Sequence, residues 1–390
     1  MKIKKAFRYK LRPTTEQEQH FWQFAGAARW VWNEMLAERK RIYEETGKGV
    51  SPYEQMRRLT TLKREPDTGW LRSIHSQVLQ EPIKQLAQAF VNFFEKRTSY
   101  PRFKKRKHIN QSFSYPQGVK VKDDGVYLPK IGWVRFRRSR EVEGEIKRAT
   151  VKRKASGWYV SLVCENEIEP EGVEPTPDGV VGIDLGLNDF LVTSTGERIP
   201  NPRHLRRLEK KIASEQHTLS RRKRGSNRYR KQRQKVARLH ERVQNARADF
   251  MHKLSSRLVS ENQGIVAEDL SIKGMARTRL AKSVHDAGWG EFLRQLEYKC
   301  QWQGKAFHQV DCWFPSSRVH NDCGTKNAIT LSDRRFVCTG CGKIVDRDWN
   351  AARNIKYQGL IDLDIVAVGH TETENACGET VRLATVSPSR

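Results

Sequence analysis

Apolar residues in the first hundred positions recur with the period of an α-helix. Phe21, Phe24, Ala25, Ala28, Trp32 and Met35 fall on one face, and Thr15 with Glu18, at capping-box spacing, predicts a helix start soon after Pro13. Leu79, Ile83, Leu86, Phe90 and Phe93 form a second stripe and predict a second long helix. Both stripes are read as core, the usual fate of an amphipathic face. Residues 1–12 read as a short basic strand. The period changes at Tyr100-Pro101-Arg102-Phe103, and runs with strand character follow at 126–128, 133–136 and 149–163. Lys154-Ala155-Ser156-Gly157 supplies a hairpin turn within the last of them. Together these predict a small β-barrel or sheet, completed by the N-terminal strand, with the helical lobe inserted in it.

A segment rich in Glu and Pro, 166–178, reads as a linker. Beyond it, Val180-Val181-Gly182-Ile183 and the alternating Phe190-Leu191-Val192 predict strands. A very basic helical stretch covers about 202–260, followed by a strand at Gly264-Ile265-Val266-Ala267, a helix near 290–304 and a strand near 306–312. Strands, then helix, strand, helix, strand suit an α/β domain. After about residue 360 the periodicity fades, and a disordered tail is expected.

Charge narrows the function. The 390 residues include 73 Lys and Arg against 45 Asp and Glu, a formal charge of +28. Self-repulsion on this scale gains a compact protein nothing, so a polyanionic partner, nucleic acid first, is the economical reading. No run approaches the ~20 apolar residues of a transmembrane helix. The basic start Met1-Lys2-Ile3-Lys4-Lys5 lacks the apolar stretch of a signal peptide, so an intracellular protein is expected. Its seven cysteines are then free thiols or metal ligands.

Four of the metal-binding residue types come as two pairs. His320-x-x-Cys323 and Cys338-x-x-Cys341 can meet at one tetrahedral zinc ion, and four protein ligands make the site structural. Gly324 and Gly342 follow a ligand cysteine, where a tight turn can aim backbone amides at sulfur. Three carboxylates form a second constellation. Asp184 ends the first apolar strand, Glu268 ends the second, and Asp346-Arg347-Asp348 opens a helix after the second cysteine pair. An acid at the end of an apolar strand is costly unless paired or metal-bound. Three gathered carboxylates suit Mg²⁺ or Mn²⁺, and two such ions can cleave a phosphodiester. Glu268 is preferred to Asp269 as nearer the strand end; spacing alone does not separate Asp346 from Asp348. Basic clusters complete the picture. Arg221, Arg222, Lys223 and Arg224 begin a run continuing to Arg238 without an acid, and Arg102, Lys104, Lys105, Arg106 and Lys107 surround Phe103. Both are candidate phosphate contacts, with base stacking open to Phe103.

These residues bring a family into view. The sequence resembles TnpB, the nuclease encoded by bacterial and archaeal insertion sequences and related to the type V CRISPR effectors. Matching stretches are Gly182-Ile183-Asp184-Leu185-Gly186, Leu219-Ser220-Arg221-Arg222-Lys223, Ala287-Gly288-Trp289-Gly290-Glu291-Phe292, Phe314-Pro315-Ser316-Ser317, the segment 346–355, Tyr100-Pro101-Arg102-Phe103-Lys104 and the tail motif Asn375-Ala376-Cys377-Gly378. The resemblance covers almost the whole chain. It implies an α+β multidomain protein. A helical recognition lobe (14–98) is inserted in a β-barrel wedge domain (1–13 and 99–175). An RNase H-like (RuvC) α/β domain (176–317 and 345–360) follows, with an inserted zinc-finger module (318–344) and a disordered tail (361–390). The family's strand-end acids map onto Asp184 and Glu268, and its last catalytic acid, just before x-Asn-Ala-Ala, maps onto Asp348. His320 stands where the family usually has cysteine, and histidine is a competent zinc ligand. The implied activity is RNA-guided DNA cleavage. A guide RNA from the transposon end pairs with the target, the protein reads a short adjacent motif, and double-stranded DNA is cut by Mg²⁺-dependent hydrolysis. The expected agent is a monomer with one guide RNA, in the cytoplasm at the nucleoid. Two other functions fit similar features: a nuclease-silent guided repressor, which the intact acids argue against, and a DNA strand-transfer transposase, which would join strands without a guide.

Overall fold

The computed structural model describes residues 1–106, 111–330 and 333–366. Lys107 and the tail beyond 366, with its Asn375-Ala376-Cys377-Gly378 motif, therefore lie outside the described residues. Two compact units are present, Met1–Ile168 and the chain from Glu169 onward.

The first unit runs β1 (Lys2–Arg12), α1 (Thr15–Thr46), α2 (Pro52–Leu62), α3 (Ser76–Phe94), β2 (Ser112–Tyr115), β3 (Lys120–Lys122), β4 (Gly125–Leu128), β5 (Gly132–Phe136), β6 (Glu145–Lys154) and β7 (Gly157–Glu167). The seven strands form one antiparallel sheet in the order β2-β6-β7-β1-β5-β4-β3. The N-terminal strand lies inside it: residues 2–10 pair with β7, and Leu11 and Arg12 with β5. The three helices are inserted between β1 and β2, and the stripe read from the sequence faces the sheet. Phe21 and Phe24 meet Phe113 at ring distances of 5.9 and 5.4 Å.

Two local readings change. The cap of α1 is Thr14 with Gln17, each side chain bonded to the other's backbone N–H. Glu18 instead accepts a hydrogen bond from Trp158 Nε1 at 3.0 Å, so the Thr15–Glu18 box does not form. α2 was not evident because only Leu59 and Leu62 of its apolar residues are fully buried, too few to make a period. Its signal was the Ser51–Glu54 capping box with Pro52 at the first helical position.

The second unit runs β8 (Val180–Leu185), β9 (Asp189–Thr193), β10 (Arg198–Pro200), α4 (His204–Ser220), α5 (Asn227–Glu261), β11 (Gly264–Glu268), α6 (Ile272–Met275), α7 (Ala281–Ala287), α8 (Trp289–Trp302), β12 (Ala306–Val310), β13 (Arg335–Val337), β14 (Ile344–Asp346) and α9 (Arg347–Asp362). Five strands lie in the order β10-β9-β8-β11-β12. The first three form an antiparallel meander, and β11 and β12 add in parallel. β8 and β11 read as unbroken apolar runs because both faces of this sheet are covered. Val181, Ile183, Ile265 and Ala267 on one face meet Met251 and Leu254 of α5 and Trp289 and Phe292 of α8. Val180, Val266 and Val310 on the other meet Ile355 and Leu360 of α9. The basic stretch read as one helical region is two helices. It breaks at the turn before Ser226, which caps α5 by accepting from Tyr229 N–H at 3.1 Å. Uniform polarity hid the break, because no apolar stripe changes phase there. Among the described residues no helix is long and apolar enough to cross a membrane.

Candidate active site

In the parallel register of β8 and β11, Ile183 lies opposite Ala267. One residue further along each strand come Asp184 and Glu268, level with one another. Side chains alternate along a strand, so Asp184 shares a face with Gly182 and Val180, and Glu268 with Val266. That is the face α9 covers. Gly182 allows the close approach: a Cβ there would overlap the carbonyl of Ala352 and the backbone of Lys356. From Gly182 to Asp184 is ~6.6 Å of strand. From Ala352 back to Asp348 is ~6 Å of helix. Packing glycine against helix thus carries Asp348 to Asp184.

The charges register this convergence. Burial, and then the charges of Asp348 and Glu268, push Asp184 up to about 7, against the pull of Arg347 and Arg334. Burial also raises Glu268, with Asp269 adding to it. Asp346 is engaged elsewhere. It caps α9, accepting from Trp349 N–H at 3.0 Å, and pairs with Arg198 at 2.6 Å. Asp269 contributes its backbone N–H to the Val310 carbonyl at 2.9 Å. Two arginines not singled out from the sequence hold Asp348, Arg334 at 3.0 Å and Arg347 at 2.9 Å. Arg347 was adjacent to a candidate acid and could have been suspected. Arg334 sits 14 residues away, and no local pattern marks it.

A raised acid makes a stability prediction. Asp184 normally titrates near 3.8 but is held up to about 7 when folded, so unfolding releases a proton across that interval. Without divalent cations, stability is expected to fall as pH rises from about 4 to 7. Asp184→Asn removes the buried charge. In EDTA the variant is expected to melt above wild type at pH 8, by on the order of 1 kcal/mol after screening, with the gap shrinking toward pH 5. A gap that is the same at both pH values sinks this reading.

The other constellation also assembles. One ligand atom each from His320, Cys323, Cys338 and Cys341 lies within 4.8 Å of the others. His320 Nδ1 is 3.1 Å from Cys323 Sγ and 3.3 Å from Cys341 Sγ, and the Cys323 and Cys338 sulfurs are 3.4 Å apart. A tetrahedron built on zinc bonds of ~2.0–2.3 Å has edges of about this length, so the cluster is compatible with a structural zinc. Gly324 and Gly342 turn each pair with positive φ of 69° and 73°. Burial works against ionising Cys338, but the N–H groups of Cys341 and Gly340, with Cys323 and Asn327, hold it down to about 6. Beyond the ligands, His320 Nε2 faces Asp322, which Arg353 grips at 2.7 Å. This module is stitched to α9 by two buried asparagines not singled out from the sequence. Asn350 accepts from Asn321 N–H at 2.8 Å, and Asn354 donates to the Ser316 and Val319 carbonyls at 2.6 Å.

The basic candidates fall in two places. Arg221, Arg222, Lys223 and Arg224 occupy the exposed tip of the α4–α5 hairpin. The Arg102–Arg106 stretch runs along α1, with Asn33 bonding the Lys104 N–H at 2.8 Å and its carbonyl at 3.0 Å. Phe103 is exposed beneath Lys40, whose ammonium is 5.2 Å from the ring centre. Lys104 is exposed, with its ammonium 3.7 Å from the centre of the Trp32 ring.

A meander of three strands, two parallel strands beyond it, acids on the two central strands and a last helix bringing a third define an RNase H-like, RuvC-type α/β protein of several domains. Residues 161–279 match the family model OrfB_IS605, described as a probable transposase, and 289–355 match the Cas12f1-like TNB domain. Residues 1–48 match a helix-turn-helix model, although here they form one strand and one long helix. A Streptomyces pristinaespiralis protein named "Putative RNA-guided DNA endonuclease" is 38% identical over 97% of this chain and 92% of its own length. The Escherichia coli K12 protein named "Putative RNA-guided DNA endonuclease InsQ" is 36% identical over 98% and 96%. The cryo-EM structure of a Cas12f1-sgRNA-target DNA complex shares the fold, with a TM-score of 0.56 at 14% identity, covering 91% of this chain and 99% of that one. The chain belongs to the TnpB family of insertion-sequence proteins.

Proposed function

We propose that this protein is an RNA-guided DNA endonuclease of an insertion sequence, binding a guide RNA made from the transposon end and cutting double-stranded target DNA beside a short adjacent motif. The observation that carries the reading is the convergence of Asp184, Glu268 and Asp348 on an RNase H-like sheet, in a TnpB-family chain of charge +28. The donor set is all carboxylate, and its elevated acids want a compensating cation, which fits Mg²⁺. Asp184, Glu268 and Asp348 would hold two such ions, which when bound supply an activated water and charge on the leaving oxygen. The chain's own part is to fix the three acids on two strands and a helix, so that little rearrangement is needed as charge develops. Arg347 orients Asp348 from the neighbouring position. Arg334, half-exposed, neutralises the same carboxylate and keeps further N–H donors for a phosphate oxygen. His320, Cys323, Cys338 and Cys341 would hold one structural Zn²⁺.

The domain roles are part of the proposal. The helical lobe (14–98) and the sheet around it, taken as a small wedge barrel (1–13 and 99–175), would grip the duplex and heteroduplex. The nuclease domain (176–317 and 345–360) with its finger (318–344) would cut. The working unit is one chain with one guide RNA, in the cytoplasm.

The deciding experiment is to purify the protein with its RNA, sequence that RNA, and offer matched duplex DNA. Cutting in Mg²⁺ that is lost after the RNA is stripped supports the reading. Tight guided binding without cutting would make the protein a repressor, and guide-independent strand joining a transposase. The hairpin tip makes a separate prediction. Neutralising Arg221, Arg222, Lys223 and Arg224 to Gln is expected to weaken nucleic-acid binding across sequences and to flatten its dependence on salt. Every phosphate that the variant no longer neutralises lowers the log–log slope by ~0.7–0.9. An unchanged slope would remove these residues from the interface.

A further inference from the structure

A cleft of about 200 Å³ opens beside the turn that leaves β8. Asn188 comes from that turn, Asn201, Arg203 and Arg206 from the entry to α4, and Lys282 and Ser283 from α7. Its wall also holds one acid, Asp286, but that charge is spent. Arg247 pairs with it at 2.8 Å, and both its oxygens accept from the Leu205 N–H at 3.1 Å. Lys282 is paired with Glu209. Arg203 and Arg206 are exposed and have no ion pair or hydrogen bond from their side chains among the described residues.

The backbone here is held in an unfavourable shape. Arg203 adopts φ 46°, ψ 50°, the left-handed region, at the N-cap of α4. For a residue other than glycine this costs ~1–2 kcal/mol and persists only where the surroundings fix it. Asn201 does so, accepting from the Arg203 N–H at 3.1 Å and donating to the Leu187 carbonyl at 3.0 Å. One asparagine thus ties the strained arginine to the loop that follows Asp184. The strained residue thus presents an exposed, unpaired guanidinium to the cleft.

We propose that this cleft holds a phosphodiester group of the DNA strand that is being cut, with Arg203 and Arg206 on its charge and Asn188 and Ser283 donating hydrogen bonds. The inference rests on the nuclease reading and adds a positioning subsite to it. The volume is below the ~300 Å³ where small-molecule pockets begin, which suits a phosphate with part of its sugar. The cleft adjoins the turn by which the chain leaves Asp184 and β8, and for that reason the proposal names the cut strand rather than the guide. Asn188 is four residues beyond Asp184, at most ~14 Å of extended chain, or about four nucleotides at ~3.4 Å rise.

The test uses the whole chain with its guide RNA. Target duplexes carry a single neutral methylphosphonate at each position near the cut in turn. Wild type is expected to slow about tenfold at one or two of those positions, as when one charge-assisted hydrogen bond is removed. Arg203→Gln is expected to slow about tenfold on ordinary DNA and to be insensitive at those same positions, while Arg203→Lys keeps most of the rate. Arg203→Gly removes the guanidinium and the backbone strain together. It is expected to melt no lower than wild type yet cut as slowly as Arg203→Gln, which separates substrate contact from a folding defect. The proposal is overturned if Arg203→Gln cuts at the wild-type rate, or if it remains as sensitive as wild type at every methylphosphonate. A loss confined to guide-RNA affinity overturns it too, since the phosphate would then belong to RNA. Cutting that survives Asp184→Ala would instead overturn the active-site assignment and leave the methylphosphonate pattern to judge the cleft.

Discussion

Asp184→Ala protein loaded with its guide is expected to bind matched duplex DNA with near wild-type affinity and to cut it at least ~10³-fold more slowly. In the proposed site the acids would hold the cations that stabilise charge forming mainly in the transition state, so their loss is expected to fall on the rate rather than on binding. Glu268→Ala and Asp348→Ala are expected to behave alike. In the proposed site the three acids act together, so pairing any two substitutions is expected to add little to the first loss. Asp346→Ala is the internal control. Its carboxylate caps α9 and pairs with Arg198, so removing it is expected to cost ~1 kcal/mol of stability and leave most of the cutting. Single-turnover cleavage in Mg²⁺, measured beside equilibrium binding, separates these outcomes. A dead Asp346→Ala beside an active Asp348→Ala would move the third position to Asp346. Three active single mutants would end the active-site assignment.

That control exists because the sequence left a real ambiguity, and the ambiguity has a physical source. β8 and β11 were legible as apolar runs because a sheet covered on both faces needs them, and the acids at their ends stood out against that background. Asp346 and Asp348 could not be separated by spacing, since either can open a helix. Their surroundings differ through long-range contacts. Gly182 lets α9 lie against β8, and Arg198, from a distant strand, occupies Asp346. The His/Cys cluster was equally legible, because its four residues are close in sequence and chemically rare. Arg334, Asn350 and Asn354 were not, because common polar residues acquire their role only once the module folds back on α9. The basic run from Arg221 is plain in the sequence as charge, but its place between two helices, α4 and α5, is not. A turn among like polar residues leaves no trace in the hydrophobic pattern. The helical lobe shows the same limit: two apolar stripes gave α1 and α3, whereas α2 buries too little to be noticed.

Removing the metal from the His320/Cys323/Cys338/Cys341 cluster is expected to be the most damaging change outside the acids themselves. Among the described residues the module's core is small: Phe336, Cys338 and Val345 with Cys323 and Ile329 against them. Structural zinc contributes ~10–16 kcal/mol to small modules of this kind, far more than such a cluster of side chains can replace. Carefully purified protein is expected to contain about one zinc per chain. Cys338→Ser is expected to lose most of it. The nuclease sheet has its own core of Ile183, Leu191, Trp289 and Phe292, so it is expected to stay folded, with protected amides in β8 and β11 by hydrogen exchange. Cutting is nevertheless expected to fall by ~10²-fold or more, the loss that follows when the groups supporting a metal site are removed. Two links carry the damage. Arg334 belongs to the module and holds Asp348 at 3.0 Å. The Asn321–Asn350 and Ser316–Asn354 bonds anchor the helix that presents that acid. His320→Cys replaces nitrogen with sulfur at a site that accepts either, and is expected to retain both zinc and cutting. Folded protein that cuts at the wild-type rate with no zinc, or a Cys338→Ser variant with full zinc content, would show that this cluster is not what holds Asp348 in place.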